Sequence, residues 1–342
     1  MIIKSIAYPR AGLVGNPSDG YHGKTISFSF SNYQACVTLY QTPELEILPN
    51  TRDESKFDSI KDLANDVQLN GYYGGIRLLK ATIKRFHDYC VMNHIELDDR
   101  NFTLRYSTNI PSRVGMAGSS AIITACLRAL MAFYGTIIPK PVQANLILSV
   151  ENKELGIPAG LQDRVAQVYQ GVVYMDFNKE YMDEHCFGRY EYLSQNQLPP
   201  IYVAYRDDMS EGTEVFHNDI RGRFNRGEPE VVEAMRYWAD LTDRVKDALL
   251  KRQGHEVIGP LLDANFDKRK ELYRISKGNL EMVAAARSVG ASAKFCGSGG
   301  AIVGTYKDEA MYAKLEKTLT GLGISLIKPV FVPPSLDAPL SL

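Results

Sequence analysis

The sequence has little of several features that would assign a function directly. Its 342 residues include one tryptophan and five cysteines, and the cysteines form no Cys-x-x-Cys pair. This pattern argues against a disulfide framework and against a thiolate zinc site. No His-x-x-x-His pair and no Gly-x-Ser-x-Gly segment occurs, so the usual sequence signals of zinc hydrolases and esterases are absent.

The sequence also lacks an excess of charge of one sign, since 39 Lys and Arg stand against 40 Asp and Glu. That balance gives no long-range attraction to nucleic acid or to a membrane surface. The most apolar stretch, residues 121–134, is shorter than a bilayer span and contains Arg128, and the first residues do not form a signal peptide. We therefore expect a cytoplasmic monomer or homodimer that binds a small polar ligand and neither nucleic acid nor membrane.

What is present is a pattern of strands in runs with helices between them. Period-two alternation predicts strands such as residues 2–8 and 25–30, and turn-like apolar spacing predicts helices such as residues 73–93. Such an order favours an α+β fold over a strict βαβα repeat. A polar, proline-containing stretch at residues 194–200 predicts a boundary between an N-terminal domain, 1–195, and a C-terminal domain, 196–342.

Residues 110–121 carry the strongest indication of phosphate binding. A predicted strand leads into a loop with Gly115 and Gly118, after which Ser119 and Ser120 open a long apolar helix. Glycines let the backbone approach phosphate oxygens, and a helix N-terminus offers free N–H groups and partial positive charge. One serine is expected to cap the helix and the other hydroxyl to be available to Mg²⁺. The same pattern also fits a plain helix cap.

Residues 7–23 place Arg10 and Asp19 in a predicted loop between two strands. Arg10 could hold phosphate or the accepting hydroxyl, and Asp19 could accept hydrogen bonds from a sugar. Alternatively, the charges of Arg10 and Asp19 simply face the solvent. The nearby Gly23-Lys24-Thr25 resembles the end of a Walker A loop, but Ser18 stands where that motif has its first glycine, and a strand follows. A P-loop NTPase is therefore excluded.

Two carboxylates flank a loop that contains glycine and proline. Glu151 lies near the end of one predicted helix, and Asp163 lies at the start of the next. Phosphoryl transfer needs one group to hold Mg²⁺ and one to orient or deprotonate the attacking hydroxyl, and these two residues could share that work. Alternatively, Glu151 is a helix-surface acid and Asp163 is a first-turn partner of the helix dipole.

Residues 294–301, Lys-Phe-Cys-Gly-Ser-Gly-Gly-Ala, form a glycine turn between two predicted strands. Ile302 stands where a dinucleotide fingerprint has its last glycine, and no helix follows, so a dinucleotide site is excluded. The turn is either a tight hairpin or an active-site wall at which backbone approaches a ligand.

In order and spacing, these segments together resemble the motifs of the GHMP kinases, the family of galactokinase, homoserine kinase, mevalonate kinase and phosphomevalonate kinase. The motifs extend from residue 7 to residue 301 and thus cover most of the chain. The resemblance implies a two-lobed α+β fold, with an N-terminal mixed α/β lobe, a C-terminal α+β lobe and the active site in the cleft between them. It also implies an ATP-dependent sugar kinase that uses Mg²⁺.

The resemblance assigns roles residue by residue. Asp163 matches the catalytic aspartate, and Arg10 matches the basic residue that contacts the reacting hydroxyl and phosphate. Ser120 and Glu151 match the Mg²⁺ ligands. The positions matched to ATP binding are Pro111, Gly115, Met116, Ala117, Gly118, Ser119 and Ser120. The positions matched to substrate binding are Asp19, Gly160, Gly297, Ser298 and Gly299.

One departure from the family pattern narrows the resemblance. The common loop reads Gly-Leu-Gly-Ser-Ser-Ala, whereas this chain has Gly-Met-Ala-Gly-Ser-Ser-Ala from Gly115, which is one residue longer. The longer form resembles the glucuronokinase branch, as do residues 10–19 and 160–169. The implied reaction is transfer of a phosphoryl group from ATP to the anomeric hydroxyl of a uronic acid, D-glucuronate, giving D-glucuronate 1-phosphate and ADP.

Alternatives remain for the substrate and for the kind of function. The substrate could be another sugar, such as galacturonate, galactose, arabinose or a heptose phosphate. The protein could also be a non-catalytic sugar-binding regulator on the same fold, although retention of both a metal ligand and a base favours an enzyme. A uronate carboxylate needs a cationic partner, for which Arg113, Arg164 and Arg206 are candidates that the sequence does not separate.

Overall fold

The computed structural model describes residues 1–50, 53, 59–60, 74–206 and 220–335. The strands in these residues are, in chain order, β1 (Ile2–Ala7), β2 (Arg10–Val14), β3 (Lys24–Ser29), β4 (Ala35–Thr42), β5 (Glu46–Leu48), β6 (Asn101–Thr108), β7 (Val172–Asp176), β8 (Arg189–Leu193), β9 (Ile201–Arg206), β10 (Lys294–Phe295), β11 (Ala301–Thr305) and β12 (Ile324–Ile327). The helices are α1 (Gly75–Met92), α2 (Gly118–Tyr134), α3 (Lys140–Ser149), α4 (Gln162–Tyr169), α5 (Lys179–His185), α6 (Ile220–Asn225), α7 (Pro229–Leu250), α8 (His255–Leu272), α9 (Lys277–Ser288) and α10 (Glu309–Thr320). The α+β content follows the prediction.

The main difference from the predicted elements is β2. Residues 9–24 were expected to form a loop because glycine and proline are frequent there, yet Arg10–Val14 is a fully buried strand. It pairs antiparallel with β3 and its register shifts between Gly12 and Val14, where the strand bulges. A buried strand shows no polar alternation, so its period could not be seen in the sequence. The predicted helix over 73–93 is observed as α1, and residue 73 lies outside the described residues.

By spatial contacts the chain divides into two compact units that interleave along the sequence. The first comprises residues 1–9, 33–110 and 118–160, and the second comprises residues 10–32, 111–117 and 161–342. The domain boundary predicted at residue 195 does not coincide with this division. The reason is that β2, β3, β7 and β8 all precede residue 195 and belong to the second unit.

The first unit contains a sheet in the order β1-β4-β6-β5, antiparallel except for the parallel pair β5–β6. Helix α2 packs on β1 and β4 and against α1. Because α2 is covered on several sides, apolar residues are found around most of its circumference. The buried Arg128 on this helix donates from Nη1 to the carbonyl oxygen of Ile6 over 3.0 Å.

The second unit contains two sheets, in the orders β2-β3-β7-β8 and β10-β11-β9-β12. Helix α4 packs on β2, β3 and β7, whereas α8 contacts β2, β10, β11 and α7. A core that includes Tyr202, Phe266 and Phe295 fills the space between the second of these sheets and its helices. Among the described residues, none of the helices combines the length and apolar character that a membrane-crossing segment requires.

Candidate active site

Arg10 links three segments of the second unit that are far apart in the sequence. The residue begins β2 and is only 4% exposed. Its Nε donates to Oδ1 of Asp163 over 2.6 Å, and its Nη1 donates to the carbonyl oxygens of Gly115 over 2.6 Å and Cys296 over 3.1 Å. Arg10 therefore lies on a buried strand rather than in the predicted loop, and its guanidinium is held in one orientation by strong bonds.

Asp163 lies in the first turn of α4 and is bordered by two arginines. Besides the bond from Arg10, its Oδ2 is 3.4 Å from Nη1 of Arg164. Burial alone would raise the pKa of Asp163, but the charges of Arg10 and Arg164 and the hydrogen bond from Arg10 outweigh it, so this pKa is lower than usual. The Asp163 carboxylate is thus ionised at neutral pH and able to accept a bond from a hydroxyl.

Asp19 lies in a short 3₁₀ helix, Ser18–Tyr21, and is close enough to Asp163 to interact with it electrostatically. Burial first, and then the charge of Asp163, raise the pKa of Asp19 to about 6, against the opposing effects of Arg10, Arg164 and the Gln162 backbone N–H. The two carboxyl groups therefore have pKa values displaced in opposite directions. Such separation of neighbouring carboxyl groups is typical of functional sites.

The glycine turn lies against the loop that contains Gly115. A Cβ atom on Gly297 would overlap the carbonyl oxygen of Gly115 and lie 2.8 Å from Nη2 of Arg10. A Cβ atom on Gly115, whose φ is +68°, would lie 2.7 Å from the carbonyl oxygen of Gly299. Ser298 is exposed, whereas Gly297 and Gly299 are buried. Glycine is thus required at both contact positions because two backbone segments approach each other closely.

The loop over residues 111–117 has an unusual backbone. Arg113 and Ala117 have φ values of +62°, a left-handed conformation that non-glycine residues seldom adopt. Three successive carbonyl oxygens of the loop accept bonds from the protein. Gly115 and Met116 accept from Nη1 and the backbone N–H of Arg10 over 2.6 and 3.3 Å, and Ala117 accepts from Nε2 of Gln167 over 2.8 Å. These bonds maintain the strained loop, and strain of this kind is concentrated at functional sites.

In the first unit, α2 begins at Gly118. Ser119 and Ser120 therefore lie within its first turn and not at the cap that the sequence predicted, since the left-handed Ala117 already ends the loop. Ser120 is 1% exposed. Glu151 is 4% exposed and belongs to a π-helical turn, Val150–Glu154, that follows α3. Such turns are rare and frequently occur at functional sites. Gly160, the last residue of this unit, is partly exposed.

Ser120 and Glu151 fit Mg²⁺ in the chemistry of their donor atoms. A hydroxyl and a carboxylate are hard oxygen ligands, and Mg²⁺ is usually bound by one or two protein oxygens together with substrate phosphates and water. The helices α2 and α3, which carry or precede these residues, pack against each other within the first unit.

A buried polar network surrounds the glycine turn and was not predicted from the sequence. Lys294, 1% exposed, donates from Nζ to the carbonyl oxygen of Gly12 over 2.6 Å, to Oδ1 of Asn16 over 2.5 Å and to the carbonyl oxygen of Phe295 over 2.7 Å. Asn265 accepts from the N–H of Gly15 over 2.7 Å and donates to the carbonyl oxygen of Asn16 over 3.1 Å. A lysine inside an otherwise apolar buried strand was the signal that could have indicated this network.

Comparisons with known proteins identify the family of the chain. Residues 77–171 match the model of the GHMP kinases N terminal domain. The chain is 44% identical over 304 residues to a probable glucuronokinase 2 of Arabidopsis thaliana, covering 87% of this chain and 82% of that protein. It is 42% identical over 340 residues to glucuronokinase 1 of the same plant, covering 97% and 93%. The crystal structure of Methanococcus jannaschii mevalonate kinase is similar in fold, with a TM-score of 0.69, 20% identity and coverage of 97% and 98%. The chain therefore belongs to the GHMP kinase family and resembles glucuronokinases over most of its length.

Proposed function

We propose that the protein transfers the γ-phosphoryl group of ATP to the anomeric hydroxyl of D-glucuronate, giving D-glucuronate 1-phosphate and ADP. The substrate assignment is supported by 42–44% identity to two proteins named as glucuronokinases. The catalytic assignment is supported by one observation above all, the 2.6 Å bond between Arg10 and Asp163. This bond gives an ionised carboxylate and a fixed cation side by side, which is what an attacking hydroxyl and a transferred phosphoryl group require.

In the proposed reaction, the anomeric oxygen forms a bond to the γ-phosphorus while the bond from that phosphorus to the β–γ bridging oxygen breaks. The hydroxyl proton passes to Asp163. Because the pKa of Asp163 is lowered, this carboxylate is a weak base, so it chiefly orients the hydroxyl and takes the proton late in the transfer. Arg10 donates no bond from Nη2 to any described residue, so Nη2 is available to an oxygen of the phosphoryl group.

The remaining assignments follow the motif positions. The loop over residues 111–117 and the first turn of α2, Gly118 to Ser120, would bind the ATP phosphates, and Ser120 and Glu151 would hold Mg²⁺. When bound, Mg²⁺ neutralises charge on the β- and γ-phosphates. Asp19, Gly160 and residues 297–299 would bind the sugar. Cytoplasmic location and a monomeric or homodimeric state stay predictions.

The test is a substrate panel with purified protein. ADP release is measured with ATP, Mg²⁺ and, separately, glucuronate, galacturonate, galactose, arabinose and a heptose phosphate, and ³¹P NMR identifies the phosphorylated position. We expect turnover of glucuronate and a product phosphorylated on the anomeric oxygen. Turnover of a neutral sugar alone would remove the uronate assignment. Absence of ADP release with every sugar would instead favour the non-catalytic regulator.

A further inference from the structure

Arg269 on α8 is a buried cation without a carboxylate partner among the residues that the structure describes. It is 5% exposed. Its Nη1 donates to the carbonyl oxygen of Gly297 over 2.8 Å, and its Nη2 makes a long bond of 3.4 Å to the carbonyl oxygen of Ser298. The buried Nε donates to no described group. An arginine has five N–H donors, so the residues that the structure describes leave most of the hydrogen-bonding capacity of Arg269 unused.

The other cations near the glycine turn differ from Arg269 in this respect. Arg10 and Arg164 both lie against the carboxylate of Asp163. Lys294 also forms no bond to a carboxylate among the described residues, but its three donors are all used by oxygen acceptors. A buried charge is unfavourable unless an opposite charge or a full set of hydrogen bonds compensates it. Arg269 has no ion-paired carboxylate and no full set of hydrogen bonds within the described part of the chain, which indicates that an anion from outside the protein supplies the missing partner.

The surroundings of Arg269 suit an anion that has hydroxyl groups beside it. The guanidinium carbon is 5.1 Å from the ring centre of Tyr273, and the hydroxyl of Tyr273 is hydrogen-bonded to the side chain of Tyr21. Burial raises the pKa of Tyr273, so its hydroxyl keeps its proton and can donate. Asp19 interacts electrostatically with Arg269 but forms no ion pair with it.

Gly297 connects this cluster to the catalytic pair. Its carbonyl oxygen accepts the bond from Arg269, while a Cβ atom on the same residue would lie 2.8 Å from Nη2 of Arg10. Arg10 in turn contacts Asp163 over 2.6 Å. The backbone of Gly297 therefore contacts both Arg269 and Arg10, and Arg10 contacts the Asp163 carboxylate that would hold the reacting hydroxyl.

We propose that Arg269, assisted by the hydroxyls of Tyr21 and Tyr273, binds the carboxylate of the uronate substrate and thereby selects a uronic acid over a neutral sugar. This inference rests on the proposed kinase function and names the residue that decides its substrate class. A neutral sugar leaves the buried guanidinium without an ion-pair partner, whereas a uronate supplies one in a site from which water is largely excluded, where the attraction is strong. Arg113, Arg164 and Arg206, the candidates from the sequence, are not assigned this role. Arg206 is already paired with Glu281 over 2.6 Å.

The experiment is a cycle in which the carboxylate is removed from the substrate and the guanidinium from the enzyme. kcat/KM is measured for glucuronate and for glucuronamide, which has an uncharged group at the same position, with the unaltered enzyme and with Arg269→Gln. We expect the unaltered enzyme to prefer glucuronate by about 10- to 100-fold, since a hydrogen bond to a charged group is worth this much, and the variant to lose most of that preference. Direct binding of glucuronate, measured by calorimetry, should weaken in parallel.

The ratio of kcat/KM for glucuronate to kcat/KM for glucuronamide separates a role in recognition from a purely structural role. Arg269 also bonds to the turn, so its replacement can lower turnover of both substrates. If it lowers both equally and the ratio is unchanged, the inference is overturned.

Should Arg269→Gln fail to fold, Arg269→Lys and Tyr273→Phe are measured in the same way, and an unchanged ratio in both variants also overturns the inference. Failure of the proposed function would be seen differently, as no turnover of glucuronate by the unaltered enzyme. Arg287→Gln, which breaks ion pairs to Asp263 and Asp267, is the matched control.

Discussion

The polar centre around Arg10 in the second unit and the region of Ser120 and Glu151 in the first unit are built in different ways. Arg10 is held by charged hydrogen bonds to residues 105 to 286 positions away along the chain. Ser120 lies in the first turn of a helix that is maintained mainly by apolar burial over its whole length. Bonds between distant residues depend on the placement of single atoms, whereas apolar packing tolerates small changes. We therefore expect substitutions in the polar centre to have the larger effects.

The largest effect is expected for Asp163→Asn. Loss of the ionised carboxylate removes the group that orients the hydroxyl, and we expect kcat to fall about 1000-fold while ATP affinity changes little. Steady-state kinetics and ATP binding by calorimetry measure the two quantities. Asp243→Asn is the control, because it breaks another 2.6 Å ion pair of the second unit, to Lys24, and Asp243 is not among the residues assigned to the site. Near-normal turnover by the Asp163 variant would remove the residue from its role.

A smaller loss is expected for Gly297→Ala. The added methyl group would overlap the Gly115 carbonyl oxygen and lie 2.8 Å from Nη2 of Arg10, so the two segments must separate. Because a misplacement of about 1 Å can lower the rate about 100-fold, we expect kcat to fall by about 100-fold. Gly254→Ala is the control, since nothing lies within 4 Å of its added Cβ atom. Equal kinetics for the two variants would mean that the backbone contact is not needed for activity.

In the first unit, Glu151→Gln should affect the metal rather than the chemistry. The neutral amide binds Mg²⁺ more weakly, and we expect the Mg²⁺ concentration at half-maximal activity to rise at least about tenfold, with recovery of kcat at saturating Mg²⁺. The control is Glu154→Gln in the same π-helical turn, which removes a 3.0 Å ion pair with Lys84. If both variants respond alike to Mg²⁺, Glu151 does not ligate the metal.

Asp19→Asn is expected to have the smallest effect on the kinetics. It is also expected to increase the stability of the protein. The pKa of Asp19 is raised to about 6 in the folded protein, so its charged form opposes folding at neutral pH. Replacement by Asn should therefore raise the free energy of unfolding by about 2 kcal/mol at pH 8, and this gain should disappear as the pH falls through 6 toward 4.

The same ionisation predicts the pH dependence of sugar binding. In the unaltered protein, KM for the sugar should rise as the pH falls through about 6, because Asp19 becomes neutral. In the Asp19→Asn variant, KM should be severalfold higher and should depend less on pH. Urea unfolding and initial-rate measurements over pH 4 to 8 test both statements. A gain in stability that is the same at pH 4 and at pH 8 would contradict the assigned cause.

The first unit was easier to predict from the sequence than the second. The apolar pattern of α2 and the two serines in its first turn are local signals, and the helix begins within one residue of its predicted start. The sequence also singled out Arg10 and Asp163, which the structure brings together, but the strand that carries Arg10 was not predicted. Gly12 and Gly15 suggested a loop, whereas tertiary contacts, including the Gly12 N–H to Cys296 bond of 2.8 Å, make the segment a strand.

The network around the glycine turn could not be predicted for a physical reason. The network joins residues up to 278 positions apart along the chain, namely Lys294, Asn16 and Asn265. The sequence next to each of them contains no motif that indicates a buried polar network. Only the folded backbone brings their donors and acceptors into register. Arg269 likewise follows Asn265 by one helical turn on α8, a spacing that a surface helix would show equally often.

The peptide unit at Gly297 serves two guanidinium groups at once, since it packs against Arg10 and accepts a bond from Arg269. In the proposed mechanism, turnover and substrate choice thus share one backbone element. During divergence of this scaffold toward other substrates, changes at Arg269 would disturb phosphoryl transfer as well, while changes at Tyr21 or Tyr273 would alter the preference with less interference. The adaptable positions of this enzyme are therefore expected to be the two tyrosines rather than the arginine.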